Sequence, residues 1–305
     1  MVDQLAKDYT NKTIVFLEYD INDKSHPRVG RWWAASGITD TAPLPFIMVD
    51  SGLQVSNGSV DFYNVYKSMI DIELSRSPKG KIEAYAWRTN DKVKFKIIVA
   101  NLTNDKIGLF DNFGEVFGVV YEYTDIGMTD GYVREVAYSV IGLEPGTTKT
   151  FSIETQDLID VDWEKLQFLA FADYYPNWST TGYHMLQAGF AEFVDFSIKP
   201  KKLVLFIDIS DPPNPTYQMY LEGHQSLTWK ASEGIPWLEI SPATGTLPST
   251  PTISVDTSKL ILGWQPEEQI VINLENGDGV QIEESVIVKA FYGSVKRVYL
   301  PILNR

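Results

Sequence analysis

From Lys81 to the end of the chain, apolar residues recur at every second position in short runs. That period of two narrows the fold more than any other feature. KIEAYAWRT, KVKFKIIVANLT, EVFGVVYEYT, VREVAYSVIGL, TKTFSIETQDL and LQFLAFADYY follow one another between Asn-Asp, Glu-Pro-Gly and similar turn signals, and MLQAGFAEFVDFSI adds another strand or two. Successive strand side chains point to opposite faces, so KVKFKIIV, alternating lysine with an apolar residue, turns one face to water and the other to a core. KLVLFIDIS, YQMYLEG, SLTWKAS, WLEISPATG, TPTISVD, EEQIVINLEN, ESVIVKAFYG and KRVYLPIL continue the pattern. Turns between them fall at Asp211-Pro212-Pro213, Glu233-Gly234, Thr244-Gly245 and Asn276-Gly277. The spacing predicts two antiparallel β-sandwiches, over 80–200 and 201–305.

Residues 1–79 read differently, as mixed α/β. LAKDY has a short helical look, and TIVFLEYDI (Thr13 to Ile21) is a β-branched and aromatic run suited to a buried strand. RVGRWWAAS (Arg28 to Ser36) forms a helix ending at Gly37, and LPFIMVDSG, opened by Pro45, forms a second strand. VDFYNVYKSMIDIELSR sets Phe62, Val65, Tyr66, Met69, Ile70 and Leu74 at helical spacing before Pro78. Pro78-Lys79-Gly80 and Lys199-Pro200-Lys201-Lys202 mark the two junctions. The fold class is therefore mainly β with an N-terminal α/β part.

Charge and cysteine usage remove several function classes. The 26 basic and 40 acidic residues leave a net charge of -14, which repels phosphate backbones, so nucleic acid is not a partner to expect. Residues 80–200, with 10 basic and 18 acidic groups, carry most of the excess. No apolar run reaches the roughly 18 residues of a membrane-spanning helix. With no cysteine there is no disulfide, thiolate metal site, cysteine nucleophile or thiol redox step in this chain. MVDQLAKDY lacks the charged and apolar regions of a signal peptide, so none is expected within this segment.

Three resemblances emerge from these residues. TIVFLEYDI, the helix around Trp32-Trp33, and LPFIMVDSG resemble the second half of a thioredoxin-fold domain. The resemblance implies a partial thioredoxin-like region in which Pro45 holds the cis-proline position, while VDQLAKDY stands where the CxxC helix would end. NKTIVFLEYDI, PFIMVDSG, YKSMIDIELSRSP, IEAYAWR, VIGLEPGTTKTFSIE and FLAFADYY, in that order, resemble bacterial cell-envelope proteins in which such a domain leads into a β-sandwich. Without cysteines, no dithiol–disulfide exchange follows from that likeness. SLTWKASEGIPWLEISPATGTLPSTPTISVDTSKL, with Trp229, Pro236-Trp237-Leu238, Ser241 to Gly245 and Val255 to Leu260, is similar to the BACON family of immunoglobulin-like modules. That similarity implies a secreted bacterial protein and a carbohydrate-binding or spacer role. The tail KRVYLPILNR looks like a short ending found on secreted proteins of some bacterial lineages.

Sequence motifs for chemistry are sparse. His26, His184 and His224 share no local motif, and there is no H-E-x-x-H, G-x-S-x-G or phosphate-cradling glycine loop. Acids are too abundant to single out a hydrolytic pair; Glu122 and Asp173, beside aromatic residues, read as ordinary sandwich loops. Residues 101–112 and 275–279 gather oxygen ligands, but Asn276-Gly277 and Asp278-Gly279 are also what a hairpin turn requires. In DYYPNWSTTGY, the rings of Tyr174, Tyr175 and Trp178 can stack on a sugar, with Asp173 and Asn177 as hydrogen-bonding groups, or can cap a core. Trp229 and Trp237 read as core.

The expectation is a non-enzymatic, secreted or cell-surface bacterial structural or adhesion protein with no cofactor and no metal. It has a partial thioredoxin-like region (1–79), a β-sandwich (80–200) and a BACON-like sandwich with its tail (201–305). Its partners are a second copy of itself, through an open sheet edge, or a surface glycan. Two alternatives stand: a carbohydrate-binding module, and a remnant of a thiol oxidoreductase whose CxxC lies upstream.

Overall fold

In the computed structural model, the described residues are 2–9, 14–20, 27–36, 47–56, 61–108, 113–123, 131–175, 182–210, 214–277 and 280–295. The protein is mainly β, with several sheets, and divides into two compact units, Met1–Val194 and Asp195–Arg305.

The first unit contains α1 (Val2–Asp8), α2 (Pro27–Ser36), the hairpin of β1 (Ile47–Val49) and β2 (Gln54–Ser56), and α3 (Phe62–Leu74). Its longer strands are β3 (Gly80–Thr89), β4 (Lys92–Asn101), β6 (Phe113–Tyr123), β7 (Gly131–Val140), β9 (Thr148–Glu154), β10 (Leu166–Tyr175) and β11 (His184–Phe190). Short strands are β5 (Ile107–Gly108), β8 (Gly142–Leu143) and β12 (Glu192–Phe193). Two four-stranded sheets result, β11-β10-β6-β7 and β12-β3-β4-β9. They share one core, built by period two: Val93, Phe95, Ile97 and Val99 of β4 are buried, while Lys92, Lys94 and Lys96 alternate with them. Phe95 meets Phe168 edge to face at 6.3 Å, and Gly118 makes room, since a Cβ there would stand 2.6 Å from the Phe95 ring.

β6 and β10 are buried on both faces, which accounts for their near-continuous apolar runs. Their second face is covered by the N-terminal residues. Val15, Leu17 and Tyr19 pack against a cluster that includes Phe117, Val119, Tyr121 and Phe171, while Ile14 and Phe16 face Leu5, Tyr66, Met69 and Ile70 of α1 and α3. Alternation thus gives 14–20 two buried sides. Residues 14–20 of TIVFLEYDI are extended and, among the described residues, join a sheet by one bridge, Glu18 to Tyr132, closed by Glu18 N–H donating to Gly131 O (2.8 Å) and Val133 N–H to Glu18 O (2.9 Å). A Cβ on Gly131 would lie 2.3 Å from Phe16 O, so the close approach of these backbones requires glycine. Among the described residues, the apolar sides of 14–20 are taken up by the cluster of α1 and α3 and by the outer face of β6 and β10.

The helices at 2–8, 27–36 and 62–74 match the sequence expectation closely. Asp61 caps α3, its side chain accepting from Asn64 N–H. No described helix is long and apolar enough to cross a membrane. Pro45 lies outside the described residues, as do residues 296–305 of the tail.

The second unit contains β13 (Phe196–Lys199), β14 (Lys202–Asp208), β15 (Thr216–Gln218), β16 (Tyr220–Gly223), β17 (Thr228–Glu233), β18 (Leu238–Ser241), β19 (Thr244–Thr246), β20 (Thr252–Val255), β21 (Gly263–Trp264), β22 (Glu268–Glu275) and β23 (Gln281–Gly293). The main sheet runs β14-β23-β22-β17-β19, with β21 also on β23; a three-stranded sheet runs β15-β20-β18, and β13 pairs with β16. β14 is parallel to β23, and the remaining pairings are antiparallel. Trp229 and Trp237 are buried, in line with their reading as core, and Gly245 lies directly opposite Trp229.

Candidate functional site

Four buried charges on the first unit form its most concentrated polar feature. On β6 and β10, Phe117 lies opposite Phe171 and Glu115 opposite Asp173, so two rings and two carboxylates alternate along one sheet face. The rings stack at 4.8 Å between centroids. Over this face runs α2, opened by Pro27 at its first turn, with Arg28 and Arg31 three residues apart on one side. Arg28 lies over the Phe171 ring at 4.7 Å, and Arg31 over Phe117 at 4.9 Å and Tyr183 at 3.6 Å.

Both guanidinium groups then reach the acids. Arg28 Nη1 donates to Asp173 Oδ2 at 3.2 Å and Arg31 Nη1 to the same oxygen at 2.7 Å, while Arg31 Nη2 donates to Glu115 Oε2. Arg28 also donates to Asp50 O (3.1 Å), tying in the β1–β2 hairpin. Asp173 is 0 % exposed, and its Oδ1 has no hydrogen-bond partner among the described residues. Burial pushes the Glu115 carboxyl up, and the Arg31 guanidinium offsets this only in part. For Arg31, burial works toward a lower pKa, but Asp173 and Glu115 outweigh it and hold the value above that of ordinary arginine. The two arginines and two carboxylates thus form one buried set of ion pairs beneath α2.

A second polar group lies at the same end of β10. Tyr174 is opposite His184; Lys79 Nζ donates to Tyr174 OH at 3.1 Å and lies 2.7 Å from His184 Nδ1. Burial lowers the His184 pKa, and Lys79 and Arg76 lower it further, so the neutral imidazole accepts from the ammonium. Nearby, the buried Glu73 is pushed up to about 7 by desolvation, with a contribution from Asp50 and an opposing one from Arg76. Arg76 Nε is 2.9 Å from Glu73 Oε2, but neither atom has a hydrogen-bond partner among the described residues, so this is an ion contact out of line for a hydrogen bond.

Of the five residues singled out as a possible loop contact, Asp173, Tyr174 and Tyr175 belong to β10, while Asn177 and Trp178 lie outside the described residues. Asp173 is engaged by arginines, Tyr174 by Lys79, and Tyr175 packs half-buried on Tyr183 at 5.0 Å. Glu122 is also on a strand and is ion-paired, with Arg134. Asn101 is buried and spends its side chain on turn backbone, accepting from Thr103 N–H (2.9 Å) and donating to Asp105 O (2.8 Å); Asn276 Oδ1 accepts from Val280 N–H (2.9 Å). These two loop asparagines serve backbone turns, and no group of three or more His, Asp or Glu side chains among the described residues could hold a metal ion.

Sequence reasoning missed Arg28, Arg31 and Glu115. The available signal was a charge in an otherwise apolar setting: two arginines in RVGRWW, one acid in EVFGVV and one in FLAFAD. It also missed a groove of about 380 Å³ lined by Trp163, Leu166, Gln167, Phe168, Phe190 and Phe193, whose aromatic residues come from two short runs, 163–168 and 190–193. Arg88 covers the Trp163 ring at 3.8 Å, and Phe193 stacks on Phe168 at 4.9 Å.

No family model and no curated protein matches the chain. Among solved structures, a Bacteroides ovatus xyloglucanase in complex with a heptasaccharide aligns at 16% identity and a TM-score of 0.24, covering 34% of this chain and 20% of that chain. A Porphyromonas gingivalis protein of unknown function aligns at 8% identity and a TM-score of 0.24, covering 70% and 99%. The sialic acid binding region of a Streptococcus sanguinis adhesin aligns at 8% identity and a TM-score of 0.25, covering 72% and 78%. At these scores none of them fixes the fold or the activity.

Proposed function

We propose that the chain is a non-catalytic structural or adhesive protein of the bacterial cell surface. In this reading the first unit is a β-sandwich whose partial thioredoxin-like N-terminal region serves as a cover, and the second is a BACON-like immunoglobulin-like sandwich. One observation carries it: Glu115 and Asp173, a facing pair of acids of the kind a glycoside hydrolase uses, are engaged by Arg28 and Arg31 in bracing α2 to the sheet. Buried Trp229 and Trp237 accord with the module's motif acting as core.

A panel of chromogenic glycosides tests the non-catalytic reading. No turnover is expected; turnover abolished by Glu115→Gln would overturn it. A second reading, glycan binding, draws on the aromatic groove, whose volume falls in the range of roughly 300–1,000 Å³ typical of ligand sites. A glycan array supports it if binding is lost in Phe190→Ala, and removes it if no sugar is retained.

A further inference from the structure

The second unit carries an apolar surface that the proposed function leaves unexplained. Phe206 of β14, Phe291 of β23 and Trp264 of β21 stand directly across three neighbouring strands on one face, with centroids 5.5 Å apart for Phe206–Trp264 and 5.5 Å for Trp264–Phe291. Phe206 is 55% exposed and Val204, on the same face, 41%. The rings are inclined at 72° and 64°, so they do not make the flat platform on which a sugar chain stacks.

This face borders a sheet edge. Among the described residues β14 has one strand neighbour, β23. Lys201 O and Ile209 N–H bond to β23. Because parallel ladder bonds recur at every second residue, the odd-numbered residues of β14 address β23, and the peptide groups of residues 202, 204, 206 and 208 point outward. An edge of this kind is a template for another strand.

The sequence of that edge is complementary to itself. Reading Lys202, Val204, Phe206 and Asp208 against their own reverse puts Lys202 opposite Asp208 and Val204 opposite Phe206. We propose that β14 pairs antiparallel with β14 of a second copy about a twofold axis at Leu205, joining the two main sheets. This register uses the four outward peptide groups, keeps Leu205 and Ile207 on the core side, and merges the two aromatic rows. Shifting by two residues either way sets Lys202 opposite Phe206 or Asp208 opposite Val204, stranding a charge against an apolar side chain. Asp208 accepts from Ser210 N–H, Ser210 Oγ and Val295 N–H, and among the described residues Lys202 has a long surface contact of 3.8 Å to Glu267 to give up. The contact is isologous, so it closes as a dimer. The proposal deepens the structural reading by naming its partner, and it stands on geometry independent of the acid clamp.

Light scattering of the full chain over a concentration series is the first test, with a concentration-dependent mass twice that of the chain expected. Phe206→Lys, counted twice per dimer, should raise the dissociation constant by on the order of a hundredfold. Its unfolding midpoint checks that the monomer still folds. The register has its own test, because the chain lacks cysteine. A Val204→Cys copy mixed with a Phe206→Cys copy brings Cα atoms to about 5.5 Å, within disulfide reach, whereas Val204→Cys with itself stays about 7–8 Å apart. Efficient mixed cross-linking is expected, and equal self-cross-linking would overturn the register. A chain that stays monomeric throughout would overturn the proposal, as would a dimer indifferent to Phe206→Lys. So would a monomer that binds phosphatidylcholine vesicles through Trp264. None of these outcomes bears on glycoside turnover, so this proposal and the non-catalytic reading fail separately.

Discussion

Each unit departs conspicuously in one place from apolar inside and charge outside, and the two departures differ in kind. The first unit takes charge inside: Asp173, Glu115, Arg28 and Arg31 are withdrawn from water and neutralise one another beneath α2. The second leaves apolar surface outside: Phe206, Trp264, Ile261 and Leu262 are 55%, 48%, 66% and 76% exposed. A buried charge set is costly to assemble, and removing one member leaves a charge buried without its counter-ion; exposed rings cost the monomer little and become useful on contact with another surface. The contrast teaches where each unit is vulnerable, to loss of a partner within the chain or to coverage from without.

The sharpest way to break this contrast is to remove a buried acid. Asp173→Ala leaves two arginines without their shared partner and should cost about 3–5 kcal/mol in denaturant unfolding. A loss within experimental error would mean the clamp does not hold α2.

A smaller effect is expected at Glu73. Its carboxyl is pushed up to about 7 in the folded chain, above the ordinary 4.5, so folding protects the proton. Between these values the unfolded chain binds fewer protons than the folded one, and stability falls as pH rises. Below about 4.5 both states are protonated and the group has no effect; above about 7 both are ionised and the cost is complete. Glu73→Gln should therefore stabilise by about 1–2 kcal/mol at about pH 8, and by progressively less toward about pH 4.5, in thermal unfolding. A gain that grows as the pH falls would contradict the sign.

The smallest effect belongs to the exposed face. Phe206→Ser should change monomer unfolding by no more than about 0.5 kcal/mol, measured at a concentration where the chain is monomeric. A cost of several kcal/mol would show that the ring is buried within the monomer and erase the contrast between the units.

Much of the fold was legible beforehand, for reasons visible in individual elements. The lysine alternation of β4 and the helical spacing of Tyr66, Met69 and Ile70 encode their own environments, because strand and helix periods map sequence directly onto a buried face. TIVFLEYDI was harder: its composition called for a buried strand, but hydrogen-bonded neighbours are chosen elsewhere, and the segment found one bridge. Of the candidate site, Asp173 was noticed for the rings beside it, and its true partners lie more than 140 residues earlier.

By itself the sequence determined that this chain builds short strands on a few N-terminal helices, does so without thiol chemistry, and carries a strong negative charge. The tertiary structure alone decided that the N-terminal residues cover the outer face of β6 and β10, that facing acids become a clamp, and that Phe206, Phe291 and Trp264 form one row. Periodicity is a local property of the chain, set by backbone geometry over a few residues. Partnership across long separations is set by strand register and by which faces close upon each other, and a one-residue change of register would have assembled a different set of side chains from the same sequence.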